Sequence, residues 1–175
     1  VQSIESLTKF AYLLYYLISD GEKELTFLEN LAFEFLESEK WEVALFAYGL
    51  LLAIPTLMNI DKAMYRINRL IAQKHIDGLE STKDEIERFD VSGMDNRFVI
   101  AKKLLLEEHK EVNELLKVAY PEQFDFHMIQ TWPIFIEYRK SEEYKEFINE
   151  HQTESKSSRF WLPRRRSGLP GKKYG

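Results

Sequence analysis

Apolar residues recur along most of this chain at steps of three and four, the spacing of one helix face, and no stretch sustains the alternation of a half-buried strand. Residues 3–19 put Leu7, Phe10, Ala11, Leu14, Leu17 and Ile18 on one side. Asp20-Gly21 closes that segment, glycine being the residue that most readily takes the left-handed conformation after a helix. A second helix is expected from about Leu25 to Ser38, and a third from Trp41 to Ile54, stopped by Pro55. Asn59 or Asp61 is placed to cap a fourth, with Ile60, Met64, Ile67 and Ile71 on its apolar face, running to about His75 before Asp77-Gly78. Thr82 and Glu85 have the spacing of a capping box for a short helix. Two further helices are expected at 96–107 and 110–119, closed by Pro121, then a short one at 123–130 and two that meet near Ser141. The fold class predicted is all-α, a stack of antiparallel helix hairpins. Residues 1–152 form the expected domain, and 153–175, with Pro163, Gly168, Pro170 and Gly171, are expected to be a loop-like tail.

Residues 37–50, "ESEKWEVALFAYGL", carry a more specific pattern. With Ala44 in the small-residue slot of a second helix, Leu31, Ala32 and Phe35 lie in the helix before it, Trp41 three residues earlier and Tyr48 four later. A small residue is needed where two helices cross closely, and large side chains from each partner fill the space beside it. Over residues 25–57 this resembles the tetratricopeptide repeat, a 34-residue helical hairpin. Glu39 stands where that family usually has glycine, and Leu51 where it usually has alanine. The pattern returns twice 34 residues on: Val112 takes the slot of Ala44, Leu116 that of Tyr48, Ala119 that of Leu51, and Val99 and Ile100 those of Leu31 and Ala32. The unit between, about 59–92, is degenerate, with Gly78 in the small slot and the helix break displaced. "WPIFIEYRKSEEYKEFI" is similar to the aromatic segment that covers the last face of such arrays.

Composition supports a packed core: 45% of the 175 residues are apolar and 14% aromatic, and 30% are charged, with only seven glycines and five prolines. The net charge of −5 is uneven. Seven basic residues and no acid lie from Lys156 onward, so the rest of the chain carries about −12. There is no cysteine, hence no disulfide and no thiolate metal site, which suits a cytoplasmic setting. The longest apolar run, residues 10–18, falls far short of the ~20 residues that span a bilayer. It also lacks signal-peptide flanks, so no membrane association is expected.

Few residues suggest chemistry. No two glycines have phosphate-loop or dinucleotide spacing. His75, His109, His127 and His151 lack an acid three residues before them, so no metal and no cofactor are expected. Ser6 and Lys9 fit a Ser-x-x-Lys spacing without a supporting motif. Arg69 and His75, five residues between them, resemble the Arg-x(4–6)-His motif of HEPN ribonucleases, which are also all-α. That resemblance implies His75 as general acid/base and Arg69 as phosphate stabiliser, although Leu70 replaces the usual polar neighbour. A histidine in a last helical turn also simply suits the helix dipole.

Lys62, Arg66, Arg69 and Gln73 fall at i, i+4, i+7 and i+11, a basic stripe that reads as a solvated face or a contact for an acidic partner. In the repeat resemblance, Glu29, Phe33 and Leu36 take the inward slots of a binding groove. The Lys/Asn clamp for a peptide C-terminus is missing there. Arg164, Arg165 and Arg166, with Phe160, Trp161 and Tyr174, mix cations and aromatics as nucleic-acid-binding tails do, or form a plain solvated end. Tyr12, Tyr15 and Tyr16 suit a core or a homodimer seam. The function expected is a non-catalytic protein–protein interaction module, with a metal-independent ribonuclease or RNA-binding domain as the alternative.

Overall fold

The computed structural model describes residues 22–158, with side chains for residues 25–151. The expected first helix (3–19) and the Arg164, Arg165, Arg166 cluster lie outside the described residues. Within them every regular element is helical, as the apolar spacing predicts. Helices α1 (Glu22–Glu37) and α2 (Trp41–Leu52) form a hairpin, and α2 packs broadly on α3 (Asn59–Asp77). Past Gly78 the chain enters α4 (Leu79–Glu87), then a second hairpin of α5 (Asn96–Leu105) and α6 (His109–Ala119). A short α7 (Phe126–Thr131) and two 3-10 turns, Pro133–Phe135 and Tyr138–Lys140, lead to α8 (Glu142–Ser158), which packs on α6. The last helix thus runs past the boundary expected at residue 152. Helix α3 is the hub: α1, α2, α4 and α5 all rest on it.

The two hairpin turns are the same structure 68 residues apart. Glu39 and Glu107 both take positive φ, 56° and 60°. Lys40 N–H donates to Phe35 O and Glu108 N–H to Lys103 O, at 2.9 and 3.0 Å, while Glu39 N–H reaches Leu36 O and Glu107 N–H reaches Leu104 O, both at 3.1 Å. These bonds satisfy the last carbonyls of each first helix, and they require one left-handed residue, which is why glycine suits this turn. Beyond the turn, Ala44 and Val112, Tyr48 and Leu116, and Leu51 and Ala119 are all buried.

The middle unit differs. Its turn is Gly78 alone, at φ 82°, ending α3 and starting α4 at once. A side chain there would meet nothing within 4 Å, so backbone conformation and not crowding selects glycine. Thr82 lies inside α4, where its hydroxyl donates to Gly78 O and Leu79 O at 3.0 and 3.2 Å. The capping box expected at Thr82 and Glu85 is therefore not formed. Nor do Asn59 and Asp61 cap α3, which starts after Met58 with no side-chain cap. Where side-chain caps do form, the oxygens come from Asp95 for α5, Asp125 for α7 and Ser141 for α8. Lys102 closes α4 from a distance, its Nζ donating to Glu87 O at 2.7 Å and Phe89 O at 2.8 Å.

Candidate functional site

Helices α1 and α3 converge with the segment 124–132 on a groove of about 420 Å³. Its walls are largely apolar: Phe33 from α1, Met64 from α3, and Phe124, Met128 and Trp132 from the α7 region. The wall is rigid at its base, because Phe124, Trp132 and the buried Phe135 pack with ring centroids 5.6–6.3 Å apart. Arg139 Nη1 further holds the end of α7 by donating to Ile129 O at 3.0 Å and Trp132 O at 3.2 Å. The mouth is softer. Met128 is 37% exposed, and an unbranched thioether adapts to varied shapes.

Asn68 sits at the back of the groove, 5% exposed. Its Nδ2 donates to Tyr48 Oη and its Oδ1 accepts from Trp132 Nε1, both at 3.1 Å. Both ends of the amide are thus occupied, and burial pushes the Tyr48 hydroxyl well above its ordinary range. Asn68 joins α2, α3 and the α7 region, and each end of its amide is engaged in the core. The charged groups lie at the rim. Glu37 of α1 and Asp125 at the start of α7 both line it, Asp125 also accepting from Met128 N–H at 2.7 Å. Arg97 lines it too, but its guanidinium is neutralised by Asp95 at 2.7 Å, a contact that raises the Arg97 pKa and lowers that of Asp95. Asn30 and Glu34 continue the α1 face on which Phe33 and Glu37 lie, and both are exposed, so Glu34 adds a second α1 carboxylate beside Glu37. The rim is therefore net acidic.

The inward-slot residues meet different fates. Phe33 lines the groove. Leu36 is completely buried in the core and offers nothing to a ligand. Glu29 turns toward α3 and accepts the hydroxyl of Tyr65. Glu37, one position beyond the expected set, lies at the rim instead.

The basic stripe does not stand free. Arg69 Nη1 pairs with Glu85 of α4 at 3.1 Å, and the Arg66 guanidinium lies over the Phe89 ring at 5.3 Å. Gln73 Oε1 is buried without a hydrogen-bond partner, and Lys62 is half-buried. Nor does the fold bring Arg69 and His75 together. Six residues along a helix rotate the side chains about 120° apart. Arg69 faces Glu85, whereas His75 stacks on Trp41 with ring centroids 4.1 Å apart. Trp41 itself is half-buried and reaches across to α3 through this stack.

Asn68, Met64 and the α7 side chains escape sequence reasoning because they are drawn from separate elements. Asn68 alone carries a signal, a polar residue at a position that turns inward between Met64 and Ile71. Among the described residues no group of three His, Cys, Asp or Glu side chains could hold a metal ion, and no helix is long and apolar enough to cross a membrane. No family model, curated protein or solved structure matches this chain.

Proposed function

We propose that this chain is a non-catalytic interaction module of tetratricopeptide-like helical hairpins, which holds a segment of a partner protein in the groove between α1, α3 and α7. The observation that carries this reading is the groove itself: an apolar bed of Phe33, Met64, Phe124, Met128 and Trp132 whose polar floor, Asn68, is already satisfied. A site whose bed is apolar and whose titratable side chains, Glu37, Asp125 and His127, stand exposed at its edge suits holding side chains better than transforming them. The acidic rim of Glu37 and Asp125 favours a segment whose apolar residues are flanked by basic ones. The 68-residue recurrence of the hairpin turn supports the repeat assignment, and the single-residue turn at Gly78 departs from it.

The ribonuclease reading has less support, because Arg69 is held by Glu85 and His75 lies against Trp41. Two experiments test the readings. Host lysate is passed over immobilised wild-type protein and over Phe33→Glu and Met128→Glu variants with unchanged circular dichroism. Loss of a retained protein in both variants is the expected result, and equal retention ends the groove assignment. In parallel, labelled RNA is incubated with the protein in chelator. Cleavage that disappears in His75→Ala overturns the non-catalytic reading.

A further inference from the structure

The segment best matched to this groove lies in the same chain. Residues 160–166 read Phe-Trp-Leu-Pro-Arg-Arg-Arg, three large apolar side chains followed by a proline and three cations. The groove combines an apolar bed with the carboxylates of Glu37 and Asp125, so the segment and the site are complementary in both apolar character and charge. The charge imbalance points the same way: every residue from Lys156 onward is basic or uncharged, and the remainder of the chain is strongly acidic.

The chain leads to the segment from an element that neighbours the site. Helix α8 lies along α6 as far as its C-terminal end, where Tyr120 meets the rings of Phe147 and His151 at 5.4 and 4.7 Å. Lys117 and Glu150 approach to 3.9 Å in the same region. Tyr120 stands only four residues before Phe124, the groove wall, a path of at most about 14 Å. From His151 the helix runs on to Ser158, about 10 Å at 1.5 Å per residue, and Phe160 follows two residues later. Held in the same chain, a weakly binding segment that reaches the groove has a higher effective concentration than a free peptide.

We infer that residues 160–166 occupy the groove of their own chain, Phe160, Trp161 and Leu162 on the apolar bed and Arg164–Arg166 against Glu34, Glu37 and Asp125. The inference rests on the groove assignment and adds a regulator to it: a partner segment enters by displacing the tail. Neutralising or removing the three cations then opens the site.

The absence of cysteine in the chain makes the test clean. In the 175-residue chain, Pro163→Cys is combined with His127→Cys at the groove mouth, or with Ser81→Cys on exposed α4 as the control. Both are oxidised at low protein concentration, and the disulfide is read by mass. Occupancy in cis predicts monomer cross-linked at least about fivefold faster in the His127→Cys pair. Equal rates in the two pairs overturn the inference. Cross-linked dimer in place of monomer overturns it too, in favour of a second copy as occupant. Arg164, Arg165 and Arg166 are then changed to Glu in the same protein, and the rate must fall toward the control; an unchanged rate shows that the acidic rim is not what holds the segment and overturns that part. Failure here leaves lysate capture by the groove intact, whereas failure of the Phe33→Glu and Met128→Glu comparison leaves the cross-link intact, so the two ideas fail separately.

Discussion

The indole of Trp41 stacks on the imidazole of His75, ring centroids 4.1 Å apart and planes within 7° of parallel. The contact ties the start of α2 to the end of α3 and withdraws His75 from water. Burial is the main influence on this histidine and lowers its pKa below the ordinary 6.5; Glu137 and Glu39 oppose the shift, and Lys74 and Lys140 reinforce it. A histidine held neutral in the folded state is protonated first in the unfolded chain. Its stabilising effect is therefore complete above about pH 6.5 and is lost as the pH falls from there through the folded-state value. Urea midpoints for wild type should drop between pH 7.5 and pH 5. His75→Phe, which keeps an aromatic face for Trp41, should show a smaller drop. Parallel pH profiles for the two proteins would remove His75 from the account.

Trp41 and Trp132 should respond differently to truncation. Trp132 is 7% exposed and donates to Asn68, whereas Trp41 is half-buried with one face on His75. Trp132→Ala should destabilise the fold by about 3–5 kcal/mol, the range for a buried large aromatic. Trp41→Ala should cost roughly half of that, since less of the side chain leaves an apolar environment. Denaturation of both variants at equal concentration decides the order, and a larger loss at Trp41 would contradict it.

Asn68 is the polar junction of the core. Replacing it with Leu leaves the Trp132 N–H, at 3.1 Å, without an acceptor, and the Tyr48 hydroxyl without its donor. An unsatisfied buried group costs about 1–3 kcal/mol, so Asn68→Leu should lose at least about 2 kcal/mol. Trp132→Phe removes the donor that would be stranded. In that background Asn68→Leu should cost less, and a double-mutant cycle measures the difference. Additive losses would show that the hydrogen bond between them contributes nothing.

The left-handed turn residues predict a gain. Glu39 and Glu107, at φ 56° and 60°, each carry a Cβ in a conformation that disfavours one by about 1–2 kcal/mol. Glycine removes that strain and adds some unfolded-state entropy, so Glu39→Gly should stabilise by about 0.5–1 kcal/mol. Glu107→Gly should gain less, because Glu107 Oε1 also pairs with Lys74 at 2.9 Å. Glu39→Ala keeps the Cβ and should gain nothing. Thermal midpoints of the three variants test the series, and equal gains for Glu39→Gly and Glu39→Ala would exclude backbone strain as the cause.

Sequence alone determined the helical class, most element positions and the 68-residue return of one hairpin. Those features depend on neighbours a few residues away: three-and-four spacing, the break at Gly78, the stop at Pro121 and the junction at Ser141. The same local reading overreached where a second element intervenes. Lys62, Arg66, Arg69 and Gln73 do share a face of α3, but α4 folds over it and takes Arg69 into a pair with Glu85. Arg69 and His75 have a motif's spacing, yet the helix turns them toward different neighbours. Phe33 reaches the groove as expected, while Leu36 sinks into the core and Glu37 takes the rim. The groove was out of reach of the sequence because its walls, from Phe33 to Trp132, come from elements far apart along the chain. Only the tertiary arrangement of α1, α3 and the α7 region brings those side chains to a single surface, with Asn68 tying α2 and α3 to Trp132.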